Sequence, residues 1–240
     1  MSGKSKSIST LAIIPARGGS KRLPGKNIKE LAGKPLIVYT IEAAKGSKYI
    51  TNALVSTDDK DIASVAEKHD CKVHMRPNHL GRNETPTIDV IIDVLDNLEK
   101  NEVLPDIVIL LQPTSPLRTC EDIDTSILNF KNGHLNDEAL SLISVCEFDE
   151  SPYWSFELKG DYLEPIFGEE YFCKRSQDLP KAYRPNGAIY ISTPDVIKER
   201  KTFYTDRTIP YIMPKERSID IDTEFDFKLA ELIMDDMNER

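Results

Sequence analysis

Ile8-Ser9-Thr10-Leu11-Ala12-Ile13-Ile14 runs directly into Pro15-Ala16-Arg17-Gly18-Gly19-Ser20-Lys21-Arg22-Leu23-Pro24-Gly25-Lys26-Asn27. The first half has the length and apolarity of a buried strand. The second is a turn-rich loop holding Arg17, Lys21, Arg22 and Lys26, with no acidic residue before Glu30. The whole chain carries a formal charge of −9, so that concentration of positive charge needs a cause. Glycines let backbone amides approach an anion closely, and arginine and lysine supply charge for phosphate oxygens. Open α/β sheets bind ligands at the carboxyl ends of their strands, where this loop lies. Its spacing excludes a Walker loop, because five residues separate Gly19 from Gly25 and Asn27 follows the lysine. No Gly-x-Gly-x-x-Gly is present either. The competing reading is a solvated basic turn.

Outward from this strand, short apolar runs alternate with longer amphipathic ones, as in a mostly parallel sheet covered by helices. Residues 53–57, 73–75 and 106–111 read as strands, the last so hydrophobic that it belongs in the centre. Residues 36–45, with Pro35 at the first position, 62–69 and 85–98 read as helices. After 140–146 the texture changes to an aromatic stretch, in which Lys159-Gly160-Asp161 predicts a hairpin excursion from the main layer. Residues 187–192 return as a strand. Residues 209–213 and 219–221 follow as short extended pieces, and 224–234 close as a helix. The fold class is α/β, one domain carrying an inserted arm.

Apolar residues make up 40% of the 240 and charged residues 30%, ordinary for a globular chain. The acidic balance argues against a nucleic-acid partner. No apolar stretch approaches the roughly 20 residues of a membrane span, and the run 11–14 is too short for a signal-peptide core. Cys71, Cys120, Cys146 and Cys173 are scattered without a Cys-x-x-Cys pair and read as free thiols of a cytoplasmic protein. His69, His74 and His79 read as surface or loop residues. Asn83-Glu84-Thr85 matches a glycosylation sequon and, with no secretory signal, reads as chance.

Asp220 and Asp222 stand at i, i+2, so in an extended segment both project from one face. Paired carboxylates repel without a cation nearby and suit Mg²⁺. Equally, Asp222 or Thr223 would cap the following helix, and the residues alone leave the two readings level. Asp122 and Asp124 repeat the pattern at a helix start, where capping is the better account.

The loop from Ala16 to Asn27 resembles the signature of the CMP-N-acylneuraminate (CMP-sialic acid) cytidylyltransferases. Leu111-Gln112-Pro113-Thr114-Ser115-Pro116-Leu117-Arg118 looks like that family's central motif. Tyr183-Arg184-Pro185-Asn186-Gly187-Ala188-Ile189-Tyr190 and Ser218-Ile219-Asp220-Ile221-Asp222-Thr223 look like its later ones. The resemblance covers nearly the whole chain. It implies a Rossmann-like three-layer α/β/α nucleotidyltransferase fold. Residues 1–146 would form a nucleotide-binding core, 147–182 an inserted dimerisation and sugar-covering arm, and 183–240 the return with the metal site and C-terminal helix.

The implied reaction transfers CMP from CTP to the anomeric hydroxyl of a nine-carbon acidic 2-keto sugar, in a homodimer using Mg²⁺ or Mn²⁺. Ala16, Arg17, Ser20, Lys21, Lys26, Asn27, Arg76 and Thr87 would bind the nucleotide, with Arg17 and Lys21 neutralising charge during transfer. Gln112, Arg184, Asn186, Tyr190, Phe203 and Tyr204 would face the sugar. Asp220 and Asp222 would hold the metal, and Asp220 would accept the hydroxyl proton. Two positions depart from the family pattern. Trp154 stands where a lysine is expected, and Ser176 where an arginine reaches the sugar carboxylate from the partner subunit. Lys174 or Arg175 would stand in for the latter. The acceptor is therefore open among sialic, legionaminic and pseudaminic acids. Competing readings are a 3-deoxy-manno-octulosonate (KDO) cytidylyltransferase, a glycosyltransferase using Asp220-Ile221-Asp222 as its metal motif, and a non-catalytic nucleotide-sugar sensor.

Overall fold

A computed structural model describes residues 8–101 and 104–239. The first strand, β1 (Thr10–Pro15), leads into the basic loop and then a two-strand ribbon, β2 (Glu30–Leu31) and β3 (Lys34–Pro35). Then follow α1 (Leu36–Gly46), β4 (Asn52–Thr57), α2 (Lys60–Lys68), β5 (Lys72–Met75), α3 (Thr87–Lys100) and β6 (Ile107–Leu110). The second half runs α4 (Cys120–Leu135), β7 (Ser141–Glu147), β8 (Phe156–Lys159), β9 (Tyr162–Pro165), β10 (Tyr183–Ser192), α5 (Pro194–Arg200), β11 (Thr208–Ile212) and α6 (Glu224–Glu239).

Seven strands form the main sheet in the order β11-β7-β10-β6-β1-β4-β5, with β6 in the middle as its hydrophobicity requires. β10 alone runs against its neighbours; the other pairings in this sheet are parallel. Alternation along β1 explains the layers. Ala12 and Ile14 face α1, α2 and α4 through Ile37, Ile41, Ile62, Ile127 and Phe130. Leu11 and Ile13 face α3 and α5 through Ile91, Val94, Leu95 and Ile197. The result is the three-layer α/β/α arrangement expected.

A third apolar cluster lies beside the basic loop. Leu23 and Leu117 pack there with Ile221, Phe227, Ala230 and Met234, so α6 fastens three of the resembling motifs together. Ile221, fully buried, contributes about 2–3 kcal/mol in this setting.

Two local expectations, at Pro35 and His74, are corrected. Pro35 is the N-cap of α1, not its first helical residue, because its extended backbone closes the β2–β3 ribbon. Residues 219–221 join no sheet and are held by the Ile221 N–H donating to the Thr114 carbonyl at 2.8 Å. His74 lies half-buried on β5, where its ring pairs with Asp93 at 2.8 Å. Between β7 and β10 the chain leaves the main sheet, and β8 and β9 pair with each other around Gly160-Asp161.

Candidate active site

Beyond the carboxyl ends of β1, β5 and β6 lies a cleft of about 360 Å³. Arg17, Ser20, Lys26 and Asn27 form one wall. Arg76, Arg82, Asn83, Thr85 and Thr87, on the stretch from β5 into α3, form a second. Gln112, Pro113 and Thr114 continue from β6, and Asp220 and Asp222 complete the lining.

The loop is held by contacts its composition does not reveal. Leu23 anchors it in the third cluster, and the buried Asn27 donates from Nδ2 to the Arg17 carbonyl at 2.9 Å. Gly18 sits against Asp59, whose carboxylate caps α2; a β-carbon there would lie 2.3 Å from Asp59 Oδ2. Arg17 reaches across to the Arg82 carbonyl at 3.5 Å. Lys26 donates to the Ile221 carbonyl and to Asp222 Oδ1, the latter at 3.2 Å, and Arg22 pairs with Asp222 Oδ2 at 3.0 Å.

The cap of α6 falls to residues that follow the aspartate pair. Thr223 and Asp226 cap α6: the Thr223 N–H and hydroxyl donate to Asp226 Oδ2 at 2.7 and 2.8 Å, and the Asp226 N–H returns to Thr223 Oγ1 at 3.3 Å. That releases both neighbouring carboxylates. With Ile221 turned into the core between them, Asp220 and Asp222 both reach the cleft. Asp220 keeps an exposed surface but sits among protein walls. Desolvation raises its carboxyl pKa against the Thr114 hydrogen bond; Asp222 raises it further and Lys26 opposes. Among the described residues no group of three or more His, Cys, Asp or Glu is placed to hold a metal. A cation here would rest on this pair, with water and substrate oxygens completing the shell.

Arg76 is almost wholly buried, its Nη2 fixed by Asp58 Oδ1 at 3.0 Å, while its Nε has no protein partner. An unmatched buried donor is costly unless a ligand accepts from it. On the far side, Gly187 adopts φ +78° where the β10 register shifts between Pro185 and Tyr190. A β-carbon there would lie 2.8 Å from Gln112 Oε1 and 3.6 Å from Asp220 Oδ2, so this glycine lets backbone, amide and carboxylate meet. Tyr190 borders Asp220: burial, then Tyr204 and Asp220, raise its phenol pKa.

The structure therefore gathers Arg17, Ser20, Lys26, Asn27, Arg76, Thr87, Gln112, Asp220 and Asp222 into one cleft. Other expected residues lie elsewhere. Ala16 is buried at the end of β1, its N–H donating to the Ser56 carbonyl. Lys21 is exposed beside the cleft lining. Asn186 is 1% exposed and its amide serves Ser144, Ser218 and the Ala188 N–H, so it braces the β10 bulge. Phe203 packs in the apolar core under Tyr190 at 5.7 Å, whereas Tyr204 is exposed. Arg184 lies half-buried on β10, and Arg175 pairs with Asp178 in the arm. Sequence reasoning passed over Arg82, Asn83, Thr85 and Thr114. The first three follow β5, so the strand-end rule applied to every strand would have found them, and two of them belong to the chance sequon.

The cytidylyltransferase family profile matches residues 11–234. The CMP-N,N'-diacetyllegionaminic acid synthase of Legionella pneumophila is 40% identical over 231 residues, 94% of this chain and 96% of that protein. An N-acylneuraminate cytidylyltransferase of Streptococcus agalactiae is 36% identical over 90% of this chain, which spans about half (51%) of that relative's length. Among solved structures, a CMP:2-keto-3-deoxy-manno-octonic acid synthetase complexed with CTP superposes with a TM-score of 0.69 at 19% identity, covering 95% of this chain and 99% of the other, a likeness of fold. The chain belongs to the cytidylyltransferase family.

Proposed function

We propose that this enzyme joins CTP to a nine-carbon acidic 2-keto sugar, giving the CMP-sugar and pyrophosphate. The carrying observation is that the cationic loop, the buried Arg76 with a spare donor and the Asp220–Asp222 pair line a single cleft. Arg76 and Thr87 suit the directed hydrogen bonds of a base, and Arg17, Ser20, Lys26 and Asn27 suit a triphosphate. Lys21 and Arg22 lie next to them for the leaving pyrophosphate. The anomeric oxygen forms a bond to the α-phosphorus as the bond to the β-phosphate oxygen breaks, and pyrophosphate leaves. Catalysis is then mainly positioning and charge stabilisation. Asp220, which lines the cleft, is the candidate to take the hydroxyl proton.

The donor set fits Mg²⁺ or Mn²⁺: two hard carboxylates, one of them now neutralised by Lys26 and Arg22. With CTP bound, phosphate oxygens would claim those cations and free Asp222 for the metal, which supplies positive charge to the phosphates. Gln112 lines the cleft, and Tyr190 and Tyr204 would stand beside it on the sugar side. The arm supports a homodimer, since a two-stranded hairpin with its apolar side chains exposed is marginal alone. In that dimer Arg175 or Lys174 would meet the sugar carboxylate across the interface. No helix of the described residues is long and apolar enough to cross a membrane, and a cytoplasmic site fits the CTP supply.

Similarity to the legionaminic acid synthase along its whole length supports N,N'-diacetyllegionaminic acid as the first acceptor to try. The test supplies each of the four NTPs with Mg²⁺ and a panel of nine- and eight-carbon acidic sugars. CTP-dependent pyrophosphate release with a nine-carbon acid is expected; preference for the eight-carbon acid would move the enzyme to the octulosonate branch.

A further inference from the structure

Arg118 ends the motif that begins at Leu111, yet it lines no part of the cleft. Its residue is 3% exposed, and among the described residues no carboxylate pairs with it within 4.0 Å. Burying an arginine without a direct counter-ion is costly, so its contacts must return something. Nη1 donates to the Ala188 carbonyl at 2.7 Å and to the Gln112 carbonyl at 3.3 Å. Nη2 donates to Thr40 Oγ1 at 2.8 Å, while Nε has no partner. One guanidinium thus ties α1, the turn after β6 and the β10 bulge. Both carbonyls flank the point where Gly187 meets Gln112 and Asp220. The planar fork fits three acceptors in fixed directions, which a lysine ammonium does not reproduce.

We infer that Arg118 is a positioning residue for the acceptor side of the cleft, acting through Gln112 and the Gly187 bulge. Its charge contributes no ligand contact. It fixes the distance between the turn carrying Gln112 and the strand carrying Gly187 and Tyr190. Burial lowers its pKa to about 9, with Asp122 opposing, and that cost falls on the folded state. The nucleotide wall is built on other contacts, the Arg76–Asp58 pair and the Asn27–Arg17 bond, so it is left untouched.

The inference rests on the proposed reaction, and two readouts keep their failures apart. Wild-type pyrophosphate release from CTP and an acidic sugar tests the reaction by itself. Amide hydrogen exchange, read without substrate, tests the clamp: Arg118→Met should lose protection at 186–190 while β1 and β4 keep theirs. In turnover, Arg118→Met should lose about 100-fold in kcat/KM for the sugar, the scale expected of an ångström misplacement. The KM for CTP should stay within about twofold, since uniform binding on that side is unchanged. Arg118→Lys should recover little. Adding Gln112→Ala to Arg118→Met should cost less than Gln112→Ala costs alone, because both remove one positioned group. Unchanged exchange, equal losses for CTP and sugar, full rescue by lysine, or multiplying losses in the double variant would each overturn the inference.

Discussion

The cleft and the arm use apolar residues in opposite ways. Around the cleft, Leu23, Leu117 and Ile221 are buried in one cluster, and the charged groups they carry are thereby pinned. In the arm, Leu158, Tyr162 and Leu163 are 70, 79 and 63% exposed on β8 and β9. The arm spends other aromatics on itself: Tyr153 stacks on Tyr171 at 4.7 Å, Phe156 on Phe172 at 4.5 Å, and Trp154 Nε1 donates to the Tyr171 carbonyl. A highly charged substrate needs dipoles and charges fixed before it arrives, which demands a dry scaffold behind them. A surface meant for another protein keeps its apolar atoms outward. The difference teaches that the residues proposed for the nucleotide share a cleft built within one chain, while the arm leaves apolar atoms outward, as the proposed dimer requires.

The strongest way to break this comparison is at the aspartate pair. Asp222→Asn should lower kcat by about 10³-fold, within the range for removing charge stabilisation from a reacting centre, with the thermal midpoint nearly unchanged. Turnover near wild type would remove the metal role. Next, Leu158→Asp with Tyr162→Asp should give monomers in sedimentation and cost about 10- to 100-fold in kcat/KM for the sugar, leaving CTP affinity intact. Monomers with full activity would separate the arm from catalysis.

A third test concerns stability. Asp122 is 1% exposed; burial pushes its pKa up, but Arg217, Thr119 and Tyr211 outweigh this and hold it below the usual value. A depressed carboxylate pKa contributes stability above the unfolded value, lost as pH falls through the folded one. Asp122→Ala should therefore cost about 3 kcal/mol at neutral pH, the scale for breaking a buried pair, and much less at an acid pH below the depressed folded value. Urea titrations at the two pH values measure it. Asp220 has the opposite sign. Its raised pKa means that ionised Asp220 disfavours the folded state above that pKa, and the penalty fades as the pH drops through the folded pKa and is gone below the unfolded value. Asp220→Asn should raise the melting temperature slightly at neutral pH and abolish turnover. An unchanged or lower melting temperature would show that the carboxylate is not strained by its surroundings.

Much of the site was legible locally. The basic loop after β1, its failure to match a Walker spacing, and the aspartates at i, i+2 are properties of neighbouring residues, and period and spacing carry them. Which of Asp222 and Thr223 caps α6 was not legible, because either fits the same string; the pairing of Thr223 with Asp226 gives the cap to Thr223. Asn186 looked like a sugar ligand in its motif, and its burial against Ser144 and Ser218 comes from β7 and the 213–218 turn closing over it. Arg118 looked like one more cation at a turn, because its acceptors lie 6, 70 and 78 positions away.

By itself the sequence determined the layers, the central strand, the hairpin and the place of the anion loop, since periodicity and turn chemistry act over a few residues. Only the tertiary structure decided which charged groups share the cleft and which merely brace it. Long-range packing sets burial, and burial decides whether a polar group is left free for a ligand or used up inside the fold.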